Sequence, residues 1–293
     1  MIDCYESVTR KIIAALEAGT PPWIRPWAVD PAEAVPCNLA SGRPYRGVNV
    51  LLLNLQAAAR GYARNRWLTY RQALAVGAQV RKGESGTPVV FFSMKEVRGD
   101  AEPGADGSVR EYPLLRQFVV FNADQIDGLP EQPRAEPAWT PQEAAERLIE
   151  ASGADISHGG SKAFYVPSED RIQLPARAAF PDGDSYYATA LHELTHWTGH
   201  SIRCNRPLLP RQALDAYGFE ELVAEMGAAF LCAHVGIPGR LEHASYIESW
   251  LKALRQDKRL IFTAASRAQA AADYLMAFVQ PEAAEVASVP ASA

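Results

Sequence analysis

The stretch Leu191-His192-Glu193-Leu194-Thr195-His196-Trp197-Thr198-Gly199-His200 decides how the second half of this chain folds and what it binds. It contains the pattern His-Glu-x-x-His, with the two histidines four residues apart. On a helix, residues i and i+4 lie on one face, so His192 and His196 can bind one metal ion together. Glu193 follows His192 directly and can take a proton from a water molecule activated at that metal. The stretch therefore predicts a catalytic metal site with one position left open for water.

The residues that flank this stretch predict a helix. Asp184 or Ser185 can cap its beginning, because both follow a Pro-Asp-Gly turn. No Gly or Pro occurs from Tyr186 to Thr198, and Gly199 is a suitable end. The alternative is a pair of solvent-facing histidines on an amphipathic helix, which the apolar neighbours of the motif disfavour.

A third protein ligand has to come from elsewhere in the chain. A common zinc-protease pattern places a third histidine six residues after the second, but position 202 is Ile. His200 lies just past the predicted helix end, where it suits a contact with substrate or with a ligand residue better than metal binding. The later helical stretch 219–231 carries Glu221 and Glu225 on one largely buried stripe.

Buried carboxylates need a partner, and a metal ion with its histidines supplies one. We therefore expect Glu221 to be the third ligand and Glu225 to orient a ligand histidine, with Glu225 as the ligand in the alternative assignment. Zinc is the metal expected for a His/His/Glu set, at one ion per chain, and Mn²⁺ or Co²⁺ can substitute.

The composition is that of an ordinary globular protein, with 48% hydrophobic and 22% charged residues. A length of 293 residues suggests two domains. No apolar run approaches the ~20 residues of a membrane-spanning helix, and the N-terminus lacks the features of a signal peptide. The four cysteines are far apart, which disfavours a disulfide framework and a Cys-rich zinc site. We therefore expect a cytoplasmic protein that does not associate with membranes.

The charge is divided unevenly along the chain. Residues 1–128 contain 15 Lys/Arg and 13 Asp/Glu, a net of +2, whereas residues 129–293 contain 14 and 21, a net of −7. Residues 41–95 contain nine Lys/Arg and one acid, Glu84, so their net charge is +8. Such a segment is typical of a surface that binds a polyanion, although a solvated basic face has the same composition.

The first half is predicted to be a small α+β unit. The pattern indicates helices over 7–18, 48–60 and 70–76, strands over 88–92 and 118–121, and a polar hairpin loop over 98–110. Aromatic residues alternate with basic ones here, which favours single-stranded nucleic acid, because bases stack on aromatic faces while Arg and Lys follow the phosphates. The alternative is that the aromatics are core, which we expect in part for Phe91 and Phe92. The candidate DNA-binding residues are Arg43, Tyr45, Arg46, Trp67, Arg71 and Lys82.

A Pro-rich segment over 129–140 is predicted to link the two halves. The predicted domains are therefore 1–128 and 141–280, followed by an Ala/Pro-rich tail over 281–293 that we expect to be disordered. A helix is predicted to begin at Pro141 with Thr140 as its cap. A hairpin over 163–175 follows, and its strand beside the metal helix can hold an extended peptide by edge pairing.

Two sets of motifs resemble known families. His192-Glu193-x-x-His196 followed by Glu221-x-x-Ala-Glu225 resembles the gluzincin-type metallopeptidases. Together with Tyr45-Arg46-Gly47-Val48-Asn49, Trp67-Leu68-Thr69-Tyr70, Lys82-Gly83-Glu84 and Trp197-Thr198-Gly199-His200, it looks like the ArdC-type antirestriction proteins of conjugative plasmids. The resemblance covers about residues 5–280, and the first half is also similar to the front part of certain plasmid primases.

That resemblance implies an α+β protein in which a single-stranded DNA-binding domain precedes a mainly helical, zincin-like metallopeptidase domain with a short β-sheet. It adds Asn49 to the DNA-binding candidates. It also implies protection of incoming plasmid DNA from host restriction and delivery of the protein to the recipient cell during conjugation. Three hypotheses follow for the activity: a DNA-tethered zinc peptidase acting on a peptide substrate, a DNA-binding protein whose metal site is structural or vestigial, and a metal nuclease. The nuclease is disfavoured, because such sites usually group carboxylates around two metals.

Overall fold

The computed structural model describes residues 3–23, 33–96, 111–130, 140–207, 214–239 and 246–279. The predicted hairpin loop over 98–110, nearly all of the Pro-rich linker and the tail over 281–293 lie outside the described residues. Among those that are described, no helix is both long enough and apolar enough to cross a lipid bilayer. The fold is mixed α+β, as predicted.

Within its described residues, the first half combines three α-helices with two small sheets. Its elements are α1 (Cys4–Glu17), β1 (Cys37–Asn38), α2 (Val48–Arg60), β2 (Arg66–Leu68), α3 (Tyr70–Ala75), β3 (Gln79–Val80), β4 (Thr87–Glu96), β5 (Glu111–Asn122) and β6 (Ile126–Asp127). One sheet has the order β1-β2-β5-β4, and β3 pairs with β6. Strand β4 therefore lies at an edge, and β4 and β5 form an antiparallel arm longer than the rest of the sheet. The predicted helix over 48–60 is confirmed.

The second half is mainly helical with one three-stranded sheet. Its elements are α4 (Pro141–Ser152), β7 (Asp155–His158), β8 (Phe164–Val166), β9 (Arg171–Leu174), α5 (Gly183–Thr198), α6 (Leu214–Val235), α7 (Ile247–Gln256) and α8 (Leu260–Met276). The sheet order is β7-β9-β8. The predicted hairpin is confirmed as the antiparallel pair β8–β9. Because β9 is central, an extended peptide can pair only along β7 or β8.

Local signals fix the ends of the helices that matter most. The cap of α5 is Asp182, whose carboxylate accepts from the Ser185 backbone N–H at 2.7 Å. The expectation that Asp184 or Ser185 would be the cap was therefore wrong by two or three residues. Helix α4 begins as predicted, with Thr140 as cap and Pro141 in the first turn. Both helices are thus positioned by short side chains that satisfy their first free N–H groups.

One hydrophobic core joins the two halves of the chain. It contains Ile12 of α1 and Leu51 of α2 together with Leu194 of α5, Leu231 of α6 and Ala268 of α8. Trp250 of α7 is buried in the same core, and its indole N–H donates to the Gly218 carbonyl at 2.7 Å. The apolar core therefore continues across the predicted boundary near 129–140.

Candidate metal centre and basic surface

The three predicted metal ligands converge between α5 and α6. His192 Nε2 lies 3.5 Å from Glu221 Oε2, and His196 Nε2 lies 3.6 Å from Glu221 Oε1. One ligand atom of each of the three residues lies within 4.8 Å of the others. Ligands at ~2.1 Å from a tetrahedral zinc ion are about 3.4 Å apart. The donor set and its spacing therefore fit a divalent ion with zinc-like geometry.

A glycine allows α5 and α6 to approach closely enough for this convergence. A Cβ at Gly227 would lie 2.5 Å from Thr195 Cγ2 and 3.0 Å from Thr195 Oγ1. Thr195 is buried, and its hydroxyl donates to the Leu191 carbonyl at 2.8 Å, so it has little room to move. The close packing at Gly227 brings Glu221, which lies six residues before it on α6, within reach of the two histidines on α5.

The cluster concentrates negative charge in the interior. Glu193, Glu220, Glu221 and Glu225 are all buried on these two helices. The buried guanidinium of Arg206 pairs with Glu220 at 2.8 Å. Buried charges are costly unless they are balanced, and a divalent cation held at Glu221 would contribute to that balance.

The pKa values of the cluster report the same excess of negative charge. Burial by itself lowers the pKa of His196, but the carboxylates of Glu220 and Glu221 outweigh it and raise the pKa to about 10. Burial would raise the pKa of Glu221, yet its contacts with His192 and His196 hold it well below the usual range. The site thus attracts positive charge, either as a proton on His196 or as a metal ion.

Glu220 is a functional residue that the sequence interpretation missed. Its Oε1 lies 3.3 Å from His196 Nδ1, on the side of the ring opposite to the metal-facing Nε2. Glu220 is held by Arg206, which also donates to Thr198 Oγ1 at 2.8 Å and to the Thr195 carbonyl at 2.6 Å. The role predicted for Glu225, a carboxylate that orients a ligand histidine, is filled at His196 by Glu220. The Glu220-Glu221 doublet was the available signal.

The remaining residues of the predicted metal site have distinct environments. Glu193 is buried beside the cluster, close enough that its charge contributes to the raised pKa of His196. Glu225 is buried one turn beyond Glu221. His200 lies in the turn after α5, where its Nδ1 accepts from the Ile202 backbone N–H at 3.3 Å. His200 therefore stabilises that turn and does not join the three clustered ligands.

Trp67 does not lie on the surface, which corrects the expectation that it stacks on bases. It is 0% exposed in the core beneath the first sheet, and its indole N–H donates to Asn65 Oδ1 at 2.9 Å. The neighbouring Arg66 suggested an exposed position, but alternate residues of a strand point to opposite faces. Phe91 and Phe92 also differ from expectation. We expected them to lie partly in the core, but both are 57% exposed on β4.

Asn49 and Arg46 are bound to other parts of the protein. The Asn49 amide donates to the Val90 carbonyl at 2.7 Å and accepts from the Val90 N–H at 2.8 Å, so it occupies part of the open edge of β4. Arg46 forms an ion pair with Asp273 of α8, although its side chain is still 58% exposed. Gly47 between them has φ +57°, a conformation that favours glycine. Much of this motif is therefore structural.

The other DNA-binding candidates are accessible to differing degrees. Arg43, Arg71 and Lys82 are exposed and form no ion pair with any described residue. Tyr45 is half-buried, and its hydroxyl lies 3.4 Å from the Asn38 amide. Several other arginines of the +8 segment are neutralised locally, as Arg64 is by Asp124 at 2.6 Å. The basic surface is thus smaller than the charge count predicted.

Comparison with known families assigns both halves. The N-terminal domain of anti-restriction factor ArdC matches residues 2–121, and a zincin-like metallopeptidase family matches residues 143–267. The crystal structure of the metal-free antirestriction protein ArdC from plasmid R388 is 45% identical, with a TM-score of 0.81, and the match covers 95% of this chain and 98% of that one. This chain belongs to the ArdC antirestriction family.

Three further relatives are similar to this chain over nearly its whole length. The Mn(II)-bound structure of the R388 ArdC protein is 44% identical with a TM-score of 0.78, over 94% of this chain and 98% of that one. An uncharacterized protein, y4eC of Sinorhizobium fredii, is 46% identical over 94% of this chain and 92% of its own length. A DNA primase TraC of Escherichia coli is 43% identical over 95% of this chain, which spans only 27% of that primase.

The ArdC assignment agrees with the site geometry. The zincin-like match contains both α5 and α6, and hence the whole His192, His196 and Glu221 cluster. The ArdC N-terminal match ends at residue 121 and contains every DNA-binding candidate. The family therefore combines a metallopeptidase-like half with an ArdC-type half in one chain.

Proposed function

We propose that this chain is an antirestriction protein that binds single-stranded DNA and protects incoming plasmid DNA from restriction in the cytoplasm of the recipient cell. The observation that carries the proposal is that both family matches occur in one chain, together with a His/His/Glu cluster that could hold a metal ion. The metal cluster has three ligands and Glu193, and the first half presents exposed basic and aromatic residues. Delivery of the protein during conjugation would place it where unmodified DNA first arrives.

The metal site is proposed to be a zinc peptidase site. His192, His196 and Glu221 would hold the ion, and Glu220 with Arg206 would fix the ring of His196. When bound, the ion supplies Lewis-acid activation of a water molecule and of a substrate carbonyl. Glu193 would accept the proton of the attacking water and return it to the leaving amine. An extended peptide would pair with an outer strand of the β7-β9-β8 sheet. Mn²⁺ or Co²⁺ can take the place of zinc, and the Mn(II)-bound relative supports that tolerance.

A second candidate function follows from the burial of the cluster. His192 and Glu221 are almost inaccessible, and the side chain of His196 is 12% exposed. A buried ion suits a structural role, in which DNA binding alone would provide the antirestriction effect.

The deciding experiment is plasmid transfer into a restricting recipient and into an otherwise identical non-restricting one. Unmodified plasmid would be transferred with wild type, with Glu193→Ala and with His192→Ala/His196→Ala. We expect wild type to restore transfer into the restricting recipient only. If Glu193→Ala protects as well as wild type, protection does not depend on peptidase activity, and DNA binding alone accounts for it. If wild type gives no protection, the antirestriction proposal itself fails.

The peptidase activity needs its own assay. A peptide library incubated with the zinc-loaded protein and analysed by mass spectrometry should show cleavage by wild type and none by Glu193→Ala. Glu193→Ala keeps all three ligands, so equal metal content in the two proteins separates a catalytic loss from a lost ion.

A further inference from the structure

A large open groove lies between the β4–β5 arm of the first half and helix α8 of the second. Its volume is about 1010 Å³, near the upper end of the ~300–1,000 Å³ typical of small-molecule pockets. One wall carries Phe91 and Phe118, and the other carries Tyr5 of α1 and Phe262 of α8. The groove is separate from the metal cluster, whose ligands are absent from its lining.

The sheet wall presents aromatic faces to solvent. Phe91 is 57% exposed and Phe118 is 46% exposed, and their rings meet edge to face with centroids 6.3 Å apart. Side chains of this size are seldom left exposed in pairs unless they contact a partner. The opposite wall repeats the arrangement, since the Tyr5 and Phe262 rings are 4.7 Å apart.

Four arginines lie in or next to the groove, and two of them, Arg46 and Arg267, line it. Arg116 lies directly across from Phe91 in the β4–β5 register and is exposed. The guanidinium of Arg259 lies 5.2 Å from the centre of the Tyr5 ring. Arg267 of α8 lines the groove beside Arg46, and the lining contains one acid, Asp273, which pairs with Arg46. The groove thus combines flat apolar faces with a rim of positive charge.

The two walls are held in a fixed relation. Besides the ion pair between Arg46 and Asp273, the Gly47 backbone N–H donates to Gln269 Oε1 at 3.0 Å, and Gln269 donates to Asp273 at 3.0 Å. These contacts connect the turn before α2 to α8 at the floor of the groove. A site held in place before its ligand arrives does not lose affinity to the ordering of its own parts.

We infer that this groove is the single-stranded DNA site, with bases stacked on Phe91 and Phe118 and the phosphates following Arg116 and Arg267. The inference rests on the proposed function and adds where the strand lies. Unpaired bases offer flat faces to aromatic side chains, whereas the bases of a duplex cover one another. The site is bipartite, because Arg267 and Phe262 belong to the zincin-like half. The inference differs from the expectation that residues 1–128 form the DNA-binding domain, because both halves would build the site.

The test is fluorescence anisotropy of a labelled oligothymidylate of about 20 nucleotides, longer than the ~4–16 nucleotides that comparable sites cover. The full-length protein would be compared with Phe91→Ala/Phe118→Ala and with Arg267→Ala. The matched controls are Val119→Ala, an exposed residue on the other face of the same arm, and Arg255→Ala, an exposed arginine of the zincin-like half outside the groove. All the substituted side chains are at least partly exposed, so folding should survive, which circular dichroism would verify.

We expect Phe91→Ala/Phe118→Ala to weaken binding at least tenfold and Arg267→Ala at least threefold, with both controls within twofold of wild type. The slope of log affinity against log salt should fall by about one for Arg267→Ala and stay unchanged for the phenylalanine variant. Photocrosslinking with 5-iodouracil in the oligonucleotide should label aromatic residues of the groove.

Three results would overturn the inference, and they point to different failures. If wild type binds the oligonucleotide and all groove variants bind equally well while Arg71→Ala/Lys82→Ala loses affinity, the proposed function stands and the groove is the wrong place. If wild type does not bind at all, the DNA-binding function itself fails. A change in self-association of the phenylalanine variant in sedimentation velocity, with DNA affinity unchanged, would make the groove a protein interface instead.

Discussion

The metal cluster and the groove show two ways of building a site. The cluster comes from two helices, α5 and α6. Two of its candidate ligands, His192 and Glu221, are buried, the third, His196, is partly buried, and all three lie within 29 residues of one another in the sequence. The groove takes residues from α1, the turn before α2, β4, β5 and α8, and its aromatic faces are exposed. The first kind of site follows from helical spacing, and the second exists only once distant elements have packed. Substitutions in the two sites should therefore differ in how strongly they change binding and in whether they affect the other site.

The largest effect is expected at the third ligand. Glu221→Gln should reduce metal affinity by more than the ~10–100-fold that the loss of an outer contact costs, because it removes a negatively charged donor from the cluster. Glu225→Gln should retain one ion per chain. Inductively coupled plasma mass spectrometry after dialysis against a weak chelator measures both. One ion in Glu221→Gln and none in Glu225→Gln would reverse the assignment.

A smaller loss of metal affinity is expected at Glu220, which contacts a ligand histidine and not the ion. Glu220→Gln should lower metal affinity by about 10–100-fold, because His196 loses the carboxylate that orients its ring and Arg206 loses its ion pair. Competition with a chromogenic chelator gives the affinity. The control is Glu248→Gln, an exposed acid of α7. An unchanged affinity in a folded Glu220→Gln protein would show that the contact at His196 Nδ1 has no influence on the metal.

The clustering of the three candidate ligands was predictable because helical periodicity is local information. His192 and His196 follow from a spacing of four, and Glu221 follows from an acidic stripe in an apolar helix. Glu220 was missed because its contact with Arg206 depends on the turn after α5, which no periodic pattern describes. Trp67 was misjudged because a tryptophan beside arginines looks the same in sequence whichever face of the strand it occupies. The groove was not predictable, since Phe91 and Phe262 meet only across the packed halves.

The contact between Gly227 of α6 and Thr195 of α5 tests how closely the two helices that carry the cluster are packed. Gly227→Ala should reduce the free energy of unfolding by about 1 kcal/mol, because an overpacking cost of ~1–3 kcal/mol is partly offset by the better helix propensity of alanine. Thermal or urea unfolding measures the change. In Gly227→Ala/Thr195→Ala the clashing methyl is gone, so most of the loss should be recovered. Additive effects of the two substitutions would mean that the two residues do not contact each other.

The smallest effect is expected where the two sites come nearest. Arg267, which lines the groove, also packs over the ring of Phe219, the residue before Glu220. The groove and the cluster are therefore adjacent but share no side chain. Glu193 is buried on α5 and does not line the groove, so Glu193→Ala changes neither of its walls. We expect its affinity for single-stranded DNA to stay within about a factor of three of wild type, or roughly 0.7 kcal/mol. The measurement is the same anisotropy titration, made on protein with equal metal content.

A tenfold loss in folded Glu193→Ala protein would mean that Arg267 and Phe219 transmit the state of the metal site to the groove. Linkage would then require DNA to alter metal affinity by the same factor.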